Sequence, residues 1–302
     1  MSLANAVLLN READIPPPSA LWPYEDSEAA RERNRVGWDR LLAAFAPLLA
    51  SVNEQRQRWQ LPPYQDFFED SFSKLAQISQ QPASFDFPRK QPPATLHFVG
   101  HLHDDELTRA VPFPWERLDG TKPLIYASLG TLQNRLEWVY RAIIEACDGL
   151  EAQVVLALGS TGFSPEQFEP IPSNMLILPY VPQADVLQRG TLCITHAGLN
   201  TSLECLEAGV PTVCLPITSE QPGVAMRMQF LGAGSVVALA ELSAQTLRAA
   251  VEEVLQNPSY REAARSFAAA QIGADPRTAA CDAIAEVLAN LPIQTKVSSG
   301  MG

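Results

Sequence analysis

Between Tyr180 and Gln221 the chain gathers side chains able to hold an anion and hydroxyl groups: Tyr180, Gln183, His196, Asn200, Thr201, Glu204, Glu220 and Gln221. Leu192-Cys193-Ile194-Thr195 is a short apolar run, the size of a buried strand. It stops at His196-Ala197-Gly198, and Asn200-Thr201-Ser202 then opens a helical pattern carried on by Leu203, Leu206 and Ala208. Gly209-Val210-Pro211 ends that helix. A strand, a glycine turn and a helix start bring unpaired backbone N–H groups to one spot, where the helix dipole adds partial positive charge; a phosphate fits there. His196 can donate a further hydrogen bond, Asn200 and Thr201 can cap the helix or face a ligand, and Glu204, one turn on, can accept from sugar hydroxyls. The same local chemistry also describes a plain capped helix with an incidental histidine, so on these residues alone both readings stay open.

The elements around this stretch alternate strand and helix from Lys122 onward, the pattern of a parallel sheet with helices on both faces. The expected strands are 123–128, 152–158, 175–178, 192–195, 212–215 and 235–238. The expected helices are 136–147, 200–208, 221–231, 244–255 and 260–271. Ser128-Gly130-Thr131, Gly159-Ser160, Tyr180–Gln183, His196–Gly198 and Pro216–Gln221 all fall at carboxyl ends of strands. In open parallel sheets that edge binds ligands.

Residues 1–94 read differently. A helical pattern from Glu28 to Trp59 places Leu41, Leu42, Phe45, Leu48, Leu49 and Val52 on one face, and Pro47 is expected to kink or divide it. A weaker helical stretch covers Asp70 to Ile78, and Ala6–Leu9 is the one strand-like fragment before them. Such a set has an apolar face but no sheet to bury it against. Prolines 82, 88, 92 and 93 stiffen a connection that leads to a strand at 95–99. His101, His103, Asp104, Asp105 and Glu106 then form a second cluster able to bind a divalent metal. Their spacing matches no closed ligand set, and the reading adopted is solvated polar surface with no metal. The tail 294–302 is polar and small, as in a disordered end.

The chain has 302 residues, 46% of them hydrophobic and 19% charged, a globular composition. Its net charge of −12 argues against a nucleic-acid partner and against anionic lipid surfaces. No apolar run reaches the ~18 residues of a spanning helix, so any membrane contact is peripheral. Five cysteines without a CxxC pair read as small buried thiols in a reducing, cytoplasmic setting.

The central stretch resembles the nucleotide-sugar signature of the UDP-glycosyltransferase family, whose fold is the two-domain GT-B type. The matching residues are Tyr180, Pro182-Gln183, Thr195-His196-Ala197-Gly198-Leu199-Asn200-Thr201, Glu204, Gly209-Val210-Pro211, Pro216 and Glu220-Gln221. Ala127–Thr131, Gln221–Ala225 and Phe85–Arg89 extend the likeness toward the bacterial zeaxanthin and macrolide glucosyltransferase branch. The resemblance implies an α/β chain: a complete Rossmann-like, doubly wound C-terminal domain over 95–293, preceded by a partial acceptor domain and linker over 1–94. It also implies site roles. Tyr180 would flank a uracil whose edge Gln183 and the Val181 backbone read, and Glu204 would bind the ribose. Ser128, Gly130, Thr131, His196, Gly198, Asn200 and Thr201 would hold the diphosphate, and Glu220 and Gln221 the donated sugar.

The implied reaction is inverting and metal-independent, with a UDP-sugar as co-substrate and no other cofactor. The sugar would be a hexose, glucose by analogy, and the acceptor a hydrophobic hydroxylated molecule such as a carotenoid. In the family the base is a histidine near the start of the N-terminal domain, oriented by an aspartate; both are expected upstream of Met1, so no catalytic base is assigned. The chain is therefore expected to bind a UDP-sugar yet transfer it slowly or not at all. A non-catalytic sugar-nucleotide-binding module, or a UDP-sugar epimerase or hydrolase on the same fold, are the competing readings.

Overall fold

The computed structural model describes residues 1–103, 111–131, 134–159 and 162–290. Asp104–Glu106, Ser160 and the expected tail 294–302 lie outside them. The larger sheet contains β4 (Leu124–Ser128), β5 (Gln153–Ala157), β6 (Met175–Leu178), β7 (Leu192–Thr195), β8 (Thr212–Cys214) and β9 (Gly234–Val236), in the order β6-β5-β4-β7-β8-β9. Every pairing is parallel. Consecutive strands run outward from β4 in one direction and, from β7, in the other. This is the doubly wound order, and its switch point falls between β4 and β7.

The strands are apolar on both faces because helices cover both. On one side α2 (Glu137–Cys147) and α6 (Ala244–Gln256) bury Val139, Ile143, Leu247 and Val251 against Ile125, Val154 and Ile194. On the other, α3 (Gln183–Leu187) and α4 (Leu199–Glu207) bring Val186, Leu187 and Cys205 to Tyr126, Val155 and Cys193. The helix α5 (Gln221–Phe230) packs beside α4, with Val224 and Met228 against Leu203 and Leu206. Two further helices, α7 (Pro258–Ala270) and α8 (Pro276–Asn290), complete the described chain. The last was not expected: its alanine-rich sequence buries only Ala283 and so carries little amphipathic signal.

Before β4 the structure departs from the sequence expectations in four ways. The first strand, β1, is Ser2–Ala4 and not Ala6–Leu9. The stretch 70–78 is not a helix; it turns and enters β2 (Gln77–Ser79). Residues 96–98 form β3, which pairs with β2, so β1-β2-β3 make a small parallel sheet of their own. A sheet does exist there, built from three-residue strands too short to show a period. Finally, α1 (Glu28–Arg58) continues through Pro47 as one helix, so the proline does not divide it. Pro47 and Ala43 are both exposed, so the Ala43 carbonyl that loses its N–H partner meets water. The apolar face of α1 packs mainly on aromatic neighbours, with Phe45 4.9 Å from Phe68 and 5.1 Å from Phe67 between ring centroids.

Residues 1–103 are fastened to the large domain by polar bonds. The Asp86 carboxylate accepts from Arg227 Nε at 2.9 Å and Nη2 at 2.6 Å, and from Arg89 Nε at 2.6 Å, all three side chains being buried. Burial alone would raise the Asp86 pKa, but attraction to Arg227 and Arg89 outweighs it and holds the carboxyl below its usual range. Gly223 N–H on α5 donates to the Pro18 carbonyl at 2.7 Å; a Cβ there would stand 2.8 Å from that oxygen. Gln80 reaches Asn200 at the start of α4.

Asp86→Asn leaves Arg227, 1% exposed, with no charge opposite. It is expected to cost about 3–5 kcal/mol, read as a lower urea midpoint. A loss below about 1 kcal/mol would show the pair to be dispensable.

Candidate functional site

At the switch point Ser128, the last residue of β4, pairs with Thr195, the last of β7. The two chains then part, and Leu129-Gly130-Thr131 and His196-Ala197-Gly198 border a cleft of about 460 Å³. Twelve of the thirteen predicted site residues line it: Ser128, Gly130, Thr131, Tyr180, Val181, Gln183, His196, Gly198, Asn200, Thr201, Glu220 and Gln221. The thirteenth, Glu204, does not line it: it borders a neighbouring cavity of about 520 Å³, and Gln183, which lines both, donates from Nε2 to the Glu204 Oε2 at 2.7 Å.

The backbone around the cleft is held in rare conformations. Ala197 (φ 63°) and Ser219 (φ 58°) are two of three non-glycine residues described with positive φ. Such strain persists only where the surroundings enforce it. Glycines flank the histidine for a steric reason. A Cβ on Gly130 would lie 2.6 Å from His196 Cε1, and one on Gly198 2.6 Å from His196 Nε2. The imidazole is thus gripped between two bare backbones.

Burial lowers the His196 pKa to about 4, the nearby Ser128 backbone opposing the shift, so the ring is neutral at pH 7. His196 Nδ1 is buried without a partner among the described residues. A buried polar atom left unpaired beside a cleft is where a ligand contact is expected. A neutral imidazole keeps one N–H, so the single hydrogen bond that His196 is expected to donate is still available to it.

Helix α4 begins at Leu199 with Gly198 in the N-cap position, so no side chain fills the end of the helix. Its first N–H groups face the cleft with the dipole behind them, an arrangement suited to an anion. Asn200 does not cap; its Oδ1 accepts from Gln80 Nε2 at 2.7 Å. Gln183 is committed on both sides, accepting from the Tyr126 hydroxyl at 2.9 Å while donating to Glu204. Gln221 accepts from the Ile217 and Thr218 N–H groups at 2.8 and 2.9 Å, so its –NH2 is what it can offer a ligand. Tyr180 stands at the rim, 58% exposed.

Several residues of the site escaped the sequence reading. Tyr126 reads as a core aromatic of β4, yet its hydroxyl orients Gln183. Asn134 donates to the Gly130 carbonyl and steadies that turn. Asn5 and Ser219 also line the cleft. None of them belongs to a local motif. The second cluster was expected to be solvated surface, but His101 is buried, with Nδ1 3.0 Å from Glu207 Oε2. Cys281 is exposed, unlike the other four cysteines.

The architecture has solved counterparts. CalG4, the calicheamicin glycosyltransferase, superposes with a TM-score of 0.64 at 23% identity, over 88% of this chain and 60% of CalG4. The glycosyltransferase VinC, solved with DTDP, gives 0.59 at 21% identity, over 85% of this chain and 64% of VinC. The fold is that of the GT-B glycosyltransferases. The pattern of the UDP-glucoronosyl and UDP-glucosyl transferase family matches residues 67–273, and the chain belongs to that family.

Zeaxanthin glucosyltransferase of Pantoea ananas is 32% identical over 295 residues, 95% of this chain and 66% of that protein. The zeaxanthin glucosyltransferase of Pseudescherichia vulneris is 33% identical over 237 residues, 78% of this chain. The chain thus spans 66% and 55% of the lengths of these relatives. No helix among the described residues is long and apolar enough to cross a membrane.

Between its ordinary 6.5 and about 4, His196 takes up a proton in the unfolded chain but not in the folded one. Acidification through that window therefore favours unfolding. Wild type is expected to lose on the order of 1–3 kcal/mol from this group. His196→Gln should lack that component when denaturation midpoints are compared across the window, and parallel pH profiles would contradict the assignment.

Proposed function

We propose that the cleft at the switch point binds a UDP-sugar and that the chain serves in transfer of a hexose, glucose by preference, to a hydroxyl of a hydrophobic acceptor such as a carotenoid. The observation that carries this reading is the neutral, glycine-gripped His196 beside the uncapped start of α4, a preformed place for a diphosphate. The relatives' names favour the glucosyl and carotenoid part.

In this reading the diphosphate lies across the first N–H groups of α4 and the Gly130 turn. Negative charge grows on it as the glycosidic bond breaks, and fixed N–H dipoles stabilise that charge without reorganising. Tyr180 covers the uracil, the Val181 backbone reads its edge, and the ribose lies toward Gln183, which Tyr126 and Glu204 brace; Glu204 would reach the ribose only by turning from the neighbouring cavity. Glu220 and the –NH2 of Gln221 face the sugar. An acceptor hydroxyl attacks the anomeric carbon from the far side and inverts it once a base has taken its proton.

Of the four histidines, only His196 lines the cleft, and its lowered pKa suits a positioning group poorly matched to the role of base at neutral pH. The 302 residues are therefore expected to bind donor without efficient transfer, which keeps a sugar-nucleotide-binding module as the second reading.

Calorimetric titration with UDP and UDP-glucose should give one site. Gly130→Ala, which drives a methyl group into the His196 ring, should weaken it roughly tenfold or more while the fold survives by circular dichroism. A turnover assay with a hydroxylated carotenoid should give little product. Absence of nucleotide binding would refute the reading, and brisk transfer by these residues alone would refute the assignment of no base.

A further inference from the structure

A second group of chemically capable side chains lies away from the nucleotide cleft. His101 and His103 lie just past β3, with their rings against each other. They meet Glu207, in the last turn of α4. His101 Nδ1 is 3.0 Å from Glu207 Oε2, the two imidazole centroids are 5.0 Å apart, and one donor atom from each of the three residues lies within 4.8 Å of the others. Metal–ligand bonds of about 2.0–2.1 Å in a tetrahedral set separate donors by roughly 3.3–3.5 Å. The His101–Glu207 pair, at 3.0 Å, is somewhat shorter than such an edge. His101, with its side chain 3% exposed, is the fixed anchor, and His103 and Glu207 are the exposed members of the set.

The geometry points to a site for a Zn²⁺-class divalent ion held by His101, His103 and Glu207, with its remaining position open to water. Two imidazoles and one carboxylate suit zinc and its neighbours in the transition series; magnesium and calcium demand all-oxygen sets. The open side faces a cavity of about 520 Å³, walled by Gln188, Gln271 and Pro276 among others. The ion would act as a clasp. Residues 101 and 103 follow directly on β3, and Glu207 ends the helix whose first turn borders the nucleotide cleft. Coordination therefore ties the small sheet to the large domain, His101 and Glu207 being 106 residues apart in sequence.

The test uses the untagged full chain freed of metal with a chelator. Titration with Zn²⁺ should show one equivalent bound and a raised Tm, and Co²⁺ should give the intense visible bands of a tetrahedral complex. His103→Ala and Glu207→Gln alter exposed side chains and should keep the fold. Each should weaken binding roughly tenfold or more and abolish the Tm rise, while His97→Gln, on β3, should change neither. The proposal is overturned if no zinc binds and the three side chains are only a hydrogen-bonded group. It is equally overturned if Mg²⁺ binds as well as Zn²⁺, if both variants bind like wild type, or if binding disappears with Cys281→Ser, which would place the ion on the exposed thiol.

Discussion

Asp86, wedged between Arg227 and Arg89, is the interaction on which the arrangement of this chain rests. A lone carboxylate buried in protein would be neutral, and a lone buried guanidinium would be a severe cost. Together they are tolerable, but only in one relative placement of the connecting segment and α5. That placement sets the β1-β2-β3 sheet against the large domain and brings Gln80 to Asn200 and Asn5 to the cleft wall. The pair therefore supplies specificity more than stability. Phe87 adds to it, its ring 4.4 Å from the Arg227 guanidinium and stacked on Tyr24 at 5.4 Å.

The cleft exists because of strand order. When two adjacent parallel strands send their helices to opposite faces, the loops beyond them diverge and a crevice opens. Here the strands are β4 and β7, and each loop contributes what the other lacks. The β4 loop gives a bare glycine turn; the β7 loop gives His196 and the open end of α4. The imidazole fits between Gly130 and Gly198 only because neither has a Cβ. Removing it from water lowers its pKa and fixes it as a neutral hydrogen-bonding group rather than a cation.

Much of the large domain was legible in the residues themselves. Strands such as Met175–Leu178 and Leu192–Thr195 carry continuous apolar runs bounded by turn residues, and helices such as Ala244–Gln256 carry a marked period. The front of the chain was not legible. Its three-residue strands are too short to show alternation, and β2 hides in a segment with residues spaced as in a weak helix. Pro47 left open whether α1 would be divided; it is not, and the residue whose carbonyl it frees, Ala43, is exposed.

The doubly wound domain and the strand-end clustering of polar residues could be read from the chain alone, because they rest on local pattern, and the family resemblance pointed to twelve of the cleft's wall residues. Only the tertiary structure decided which of those side chains face a ligand and which are spent on one another. Gln183 is tied to Tyr126 and Glu204, Asn200 to Gln80, and His101 to Glu207. Those partners lie 21 to 120 residues away in sequence, and hydrogen-bonding capacity, unlike hydrophobic periodicity, leaves no trace of its partner along the chain.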